Sequence, residues 1–303
     1  MRRSCEPRMA NALAKAVEAL PAYRYAVLDG AHIDALPEAL RHHRLPFAPL
    51  YLEASKEDGV RAGPYLVALE ARDAIGTAIA LTEGKPAATF WSWPSSFAAL
   101  RRHLRGLNLV EIPNARREYA DDPAYETVLF RHWDPNVLAV TLPVLREEQR
   151  ARFLGDALGL AFDADEYGGV KHVTRPAALP AKPHGMLRLN SAQMEAITTY
   201  RLAASRIRIE AYLRDVAPDQ ASRMPPSALS DLVAMSQKQA ADLRLTSERD
   251  VGLWSYLQLI AGGRIELAPQ ILMAFDIPGA GATPTECLER LVDATIRLAR
   301  GAA

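Results

Sequence analysis

Seven histidines, His32, His42, His43, His103, His132, His172 and His184, are the residues from which acid-base or metal chemistry would have to be built. Only His42 and His43 are close in sequence, and adjacent side chains on a helix or strand point in different directions. Solvated loop or helix positions are the expectation for these histidines. The acidic turn Asp163, Asp165 and Glu166 offers oxygen atoms to a hard cation, but it lacks the glycine and the distal glutamate of a calcium loop. Asp121 and Asp122 precede Pro123 in a polar loop, where paired carboxylates make turns more often than they make an acid and a base. Cys5 and Cys287 stand near opposite ends of the chain, neither with a second cysteine or a histidine at metal-ligand spacing. Both read as free thiols. Cys287 shares a helical face with Leu291, Ala294 and Leu298, which suits a buried thiol better than a nucleophile. No phosphate-binding glycine loop, dinucleotide fingerprint, nucleophile elbow, H-E-x-x-H string or EF-hand loop occurs. The expectation is no catalytic, cofactor-binding or metal-ligating set, and no cofactor.

Aromatic residues offer a different kind of chemistry. Trp91 and Trp93 alternate on an expected strand and share a face, as do Tyr23 and Tyr25. Such residues are usually core or sheet cover, but Trp is also a favoured interface anchor, so Trp91, Trp93 and Trp254 are the candidates for partner contact.

The elements that must position these residues follow from periodicity and punctuation. Met9, Leu13, Val17 and Leu20 recur at helical spacing and Pro21 closes that segment, giving an N-terminal helix over 1–22. Over 23–162, short apolar runs (YRYAVL, PLYLE, PYLVAL, ATFWSW, LVEI and YETVLF) alternate with helical stretches, which predicts a mixed α/β sheet domain. The polar stretch between LVEI and YETVLF predicts antiparallel pairing through a long loop. Ser95 or Ser96 caps the helix FAALRRHLR, and Gly106 stands where a left-handed C-terminal residue is wanted. Asp134 is an N-cap with Pro135 at the first helical position. Turn formers concentrate in 163–188, which reads as a linker or irregular segment.

From 189 to 303 every signal is helical, giving an all-α domain. Ile197, Tyr200, Ala204, Ile207 and Ala211 form one stripe; further helices are expected over 227–243 and 247–261, the latter stopped by Gly262 and Gly263. Thr283 and Glu286 make a capping box around Pro284 for the last helix. The fold class is thus α+β followed by an all-α domain.

Composition bounds the function. The chain has 303 residues, 49% hydrophobic and 24% charged, the balance of an ordinary globular protein. Basic and acidic residues number 36 each, so the basic surplus expected of a nucleic-acid binder is missing, although a local basic patch is compatible with neutrality. The start of the sequence has positive charge but no apolar core, and no 18-residue uncharged run occurs, so a cytoplasmic protein without nucleic-acid or membrane partners is expected.

Several segments, in order, carry a family likeness: YAVLDGA (25–31), PLYL (49–52), GPYLVAL (63–69), the Ser96 to Arg105 pattern, and VLFRHWDPNVL (128–138). Together they resemble the type VI secretion effector adaptors, or effector chaperones, with their DUF4123-type domain. The resemblance covers roughly 23–160, with the string from Arg131 to Leu138 its most distinctive piece. It implies a non-enzymatic loading factor that binds a cognate toxic effector in the bacterial cytoplasm and delivers it to a VgrG-type spike protein. It supplies no catalytic residues. The signature residues Asp29, Gly30, Arg131, Trp133, Asp134 and Pro135 have a structural reading. Asp29 and Gly30 form a strand's exit turn with Gly30 at positive φ, and Asp134 and Pro135 start a helix. Arg131 pairs with Asp29, Asp134 or a carboxylate elsewhere, a structural ion pair being favoured over a partner contact. The competing function is a hydrolase or transferase whose groups meet only in three dimensions. A structural component of the secretion machine is a third.

Overall fold

A computed structural model describes residues 6–21, 23–51, 62–71, 73–115, 124–262 and 283–301. Asp121, Asp122 and Cys5 lie outside them. The chain divides into two compact units, 1–198 and 199–303.

The first unit is built on a six-stranded, wholly antiparallel sheet. Its strands are β1 (Arg24–Asp29), β2 (Phe47–Pro49), β3 (Pro64–Ala68), β4 (Ala88–Ser92), β7 (Gly159–Ala164) and β8 (Gly169–Thr174), ordered β2-β3-β1-β4-β7-β8. A second sheet, β6-β5-β9, pairs β5 (Leu109–Pro113) antiparallel with β6 (Tyr125–Leu129) and parallel with β9 (Leu187–Arg188). The expected antiparallel return of YETVLF onto LVEI is therefore present.

Strands β1, β3 and β4 are buried on both faces, which is why they read as continuous apolar runs rather than alternating ones. Ala26, Leu28, Tyr65, Val67 and Phe90 point into one core, which α1 (Glu6–Glu18), α2 (Leu36–His42) and α3 (Ala74–Leu81) complete with Val17, Leu40 and Ala78. Tyr25, Val27, Leu66, Trp91 and Leu160 point into the other. There they meet Leu100 and Leu104 of α4 (Phe97–Arg105), Leu138 of α5 (Pro135–Thr141), Phe153 of α6 (Glu147–Leu154), and Val110 and Leu187 of the second sheet. The period-2 geometry of each strand divides its side chains between the two cores.

Residues 163–188 depart from the expected linker. The end of β7 and all of β8 fall in this stretch, and β8 pairs with β7 from Gly159↔Thr174 to Ala164↔Gly169. Two of its glycines turn the chain within the hairpin: Gly168 and Gly169, where β7 gives way to β8, both take positive φ. The division into units falls inside α7 (Ser191–Val216), because Leu187, Leu189, Met194 and Ile197 pack into the core of the first unit. Asn190 and Gln193 close the start of α7 reciprocally. Asn190 Oδ1 accepts from Gln193 N at 2.9 Å and Gln193 Oε1 accepts from Asn190 N at 3.1 Å.

The second unit is helical. Besides the rest of α7 it contains α8 (Pro218–Ser222), α9 (Pro226–Asp242), α10 (Glu248–Ile260) and α11 (Pro284–Gly301). Ile209, Leu213, Leu232, Val233 and Leu259 form one cluster, and Ala240, Trp254, Leu257, Leu288 and Val292 another. The Thr283–Glu286 capping box is present in both directions. Two faces differ from expectation. On α7 the buried apolar positions are Ala204, Ile209 and Leu213, whereas Ile207 is 69% exposed and Tyr200 also faces solvent. Apolar residues surround this helix, so spacing alone selects no face. On α11 the buried pair is Leu288 and Val292, which leaves Cys287 half-buried beside it.

Candidate functional site

Asp29 ends β1, 2% exposed, and its carboxylate accepts three hydrogen bonds. They come from Ala31 N at 3.0 Å, His32 Nδ1 at 2.9 Å and the Arg131 guanidinium at 3.0 Å. Arg131 is also 3.4 Å from Asp134. Asp134 caps α5, accepting from Asn136 N at 2.9 Å and Val137 N at 3.4 Å, with Pro135 at the first helical position. Arg131 thus links the exit of β1 to the entrance of α5. Gly30 does not take positive φ among the described residues; its N–H instead donates to Gly63 O at 3.0 Å. The turn is closed by the Asp29 side chain, which removes the need for a left-handed residue.

The intervening signature residues face inward. His132 is fully buried and its Nε2 lies 3.1 Å from Asn108 Oδ1. Asn108 Nδ2 donates to Leu50 O at 3.1 Å, so Oδ1 is the acceptor and His132 is the neutral imidazole with its proton on Nε2. Burial holds its pKa down at about 3. Trp133, also buried, meets Tyr51 edge-on with ring centroids 5.7 Å apart. The Tyr51 hydroxyl is raised above its ordinary pKa by burial and then by the nearby Asp29 charge.

Leu50, Tyr51 and Asn108 belong to the floor of an open groove of about 780 Å³. Helix α4 contributes Ala98, Arg101, Arg102 and Arg105 to its lining, and the second sheet contributes Leu109 and Leu129. Residues 98, 101, 102 and 105 recur at steps of three and four and so share one helical face, opposite buried Leu100 and Leu104. Ser96 caps α4 by accepting from Ala99 N, and Arg101 Nε donates to Pro49 O at 3.0 Å. Leu109 and Leu129 are directly paired across the strands, 46% and 51% exposed. Gly106 ends α4 with ordinary right-handed φ, its N–H bonded to Arg102 O, so no left-handed cap is used there.

Other expected sites are placed differently. Trp91, Trp93 and Trp254 are buried in the cores and present no surface for a partner. Trp91 Nε1 donates to Thr89 Oγ1 and Trp254 Nε1 to Gln239 Oε1. Tyr25 is buried, but Tyr23 precedes the strand at φ 64 and is 66% exposed, so the two do not share a sheet face. His42, His43, His172 and His184 are exposed as expected. His103 and His132 are not. His103 stacks on Trp93 at 5.0 Å and its Nε2 bonds Phe153 O at 2.9 Å, while burial depresses its pKa to about 4. Asp163 points from β7, its carboxyl raised by burial and then by Asp165. Among the described residues no group of three or more His, Cys, Asp or Glu side chains is disposed to hold a metal. The groove itself was not anticipated, although the arginine stripe opposite Leu100 and Leu104 was legible in the sequence.

Residues 24–152 match the family model described as a domain of unknown function, DUF4123. The matched stretch opens at the first residue of β1 and closes within α6, so β7, β8 and β9 lie outside it. No curated protein and no solved structure matches the chain.

Proposed function

We propose that this chain is a non-enzymatic adaptor of type VI secretion, which holds a cognate toxic effector in the bacterial cytoplasm and loads it onto a VgrG-type spike protein. The observation that carries this reading is the DUF4123 match over 24–152, the stretch whose ordered strings resemble the effector adaptors. The site's chemistry supports docking over turnover. The signature residues Asp29, Arg131 and Asp134 are engaged with one another and with backbone, and the accessible groove beside His132 and Trp133 presents guanidinium and leucine side chains. Such a lining suits a protein surface, since Arg and apolar contacts dominate binding energy at interfaces. The adaptor acts without cofactor, nucleic acid or membrane.

The test is co-expression of the full chain with the toxin encoded beside it, followed by size-exclusion chromatography. Co-elution is expected, together with loss of toxin secretion, but not of sheath assembly, on deleting the adaptor. Free toxin and free chain, or a chain retained stoichiometrically in assembled sheaths, would overturn the reading.

A further inference from the structure

We propose that the groove between α4 and the Leu109–Leu129 pair receives an extended segment of the protein partner in which acidic and aliphatic residues alternate, an inference that rests on the adaptor reading.

The cationic side is the first support. Arg101, Arg102 and Arg105 line one groove, and none of them has a carboxylate partner among the described residues. Basic residues in the last turn of a helix are favoured by its dipole, but a dipole leaves the guanidinium groups open to a counter-charge. Planar guanidinium forks match carboxylates bidentately. The apolar side is the second support. A single exposed leucine needs no explanation, whereas Leu109 and Leu129 form a directly opposed cross-strand pair beside the arginines. A phosphate backbone or free anion would make no use of that pair.

Spacing selects the extended form. In a strand, side chains i and i+2 share a face and lie about 6.6 Å apart, while i+1 points the other way. Along α4 the four-residue step from Arg101 to Arg105 advances about 6 Å. An alternating segment therefore sets successive carboxylates against the arginine stripe and its aliphatic residues toward the leucines. The groove is tied to the family signature: His132 fixes Asn108, Asn108 fixes the Leu50 carbonyl, and Trp133 supports Tyr51. The signature residues thereby position a binding surface without forming it.

Fluorescence anisotropy with the full chain tests this, using a labelled peptide of alternating glutamate and valine, a lysine–valine twin and a glutamate–serine twin. The glutamate–valine peptide is expected to bind at least tenfold more tightly than either twin. Arg102→Glu combined with Arg105→Glu, and separately Leu129→Ser, should each weaken it at least fivefold with unchanged circular dichroism and Tm. For a variant that fails to fold, salt is the substitute: wild-type affinity should fall when ionic strength is raised to about 0.5 M, where charges are screened within a few Å. Equal binding of the three peptides, or salt-independent binding, would overturn the proposal. So would preferential binding of anionic phospholipid vesicles, which would make the groove a membrane contact. Toxin co-purification separates the two readings. Capture by wild type and groove variants alike removes the groove and leaves the adaptor, whereas no capture by wild type removes the adaptor.

Discussion

Asp134 and Arg131 carry the family string, yet the work each does is local. Asp134 accepts two N–H groups at the start of α5, so Asp134→Ala should lower stability by about 0.5–2 kcal/mol, with Asn restoring most of it. Urea melts of the three proteins check this, and an unchanged midpoint for Asp134→Ala would refute the capping role. Arg131 is the cation of a carboxylate that is 2% exposed. Removing it leaves the buried Asp29 side chain with Ala31 N and His32 as its hydrogen-bond partners. Because Arg131 itself is 40% exposed, water can partly replace it, and Arg131→Ala should cost about 1–3 kcal/mol. A loss within experimental error would mean that the pair is solvated. His103 and His132 set an acid limit. Their folded pKa values, about 4 and about 3, lie below the ordinary 6.5, so between those values the unfolded chain binds protons that the folded chain refuses. Stability should be fully present above pH 6.5 and fall as pH drops toward 4, by about 3 kcal/mol from His103 alone at 1.4 kcal/mol per pKa unit. Thermal melts at pH 7, 5.5 and 4.5 with a constant Tm would contradict this.

Between elements, small contacts set how α4 sits against its neighbours. Gly155 ends α6 at φ +56, and a Cβ there would come within 2.5 Å of the His103 ring. That ring is already held by Trp93 on one side and Phe153 O on the other, so it has little room to give. Gly155→Ala should therefore cost about 1–3 kcal/mol through positive φ and crowding together. It should also loosen the arginine face of α4, read as faster amide exchange over Phe97–Arg105. A variant as stable as wild type would show that α6 shifts freely. Ser96, by contrast, caps α4 independently of these contacts; the spacing before FAALRRHLR left Ser95 or Ser96 open, and the structure selects Ser96.

For the whole molecule, the family match and the folding unit are different objects. Trp91 and Leu160 are cross-strand partners, and β7 joins β4 on one side and β8 on the other. A fragment of residues 1–152 lacks β7 to β9 and should expose the β4 edge and the Trp91 core, whereas residues 1–198 should fold cooperatively. Dispersed NMR amide signals and a single melting transition are expected for 1–198 only. The same properties in 1–152 would show that the matched stretch folds alone.

Local signals were enough for the fold class and for many of the elements. Apolar runs between turn formers marked strands β1 and β3 to β6, and the Ser95–Ser96 pair, Asp134 with Pro135, and Thr283 with Glu286 marked helix starts, because a cap acts over three or four residues that are contiguous in the sequence. Which side of an element is buried was decided only in three dimensions. Ile207 and Ile209 are both apolar and both helical, and only packing makes one exposed and the other core. The tryptophans went inward for the same reason, since anchor and core residues share one chemistry. The hairpin of β7 and β8 was hidden because glycine and proline punctuate a linker and a sheet turn alike. The groove needed the tertiary fold most: its lining is gathered from Leu50 and Tyr51, from helix α4 and from the strands carrying Leu109 and Leu129, and long-range contact leaves no periodic trace in the chain.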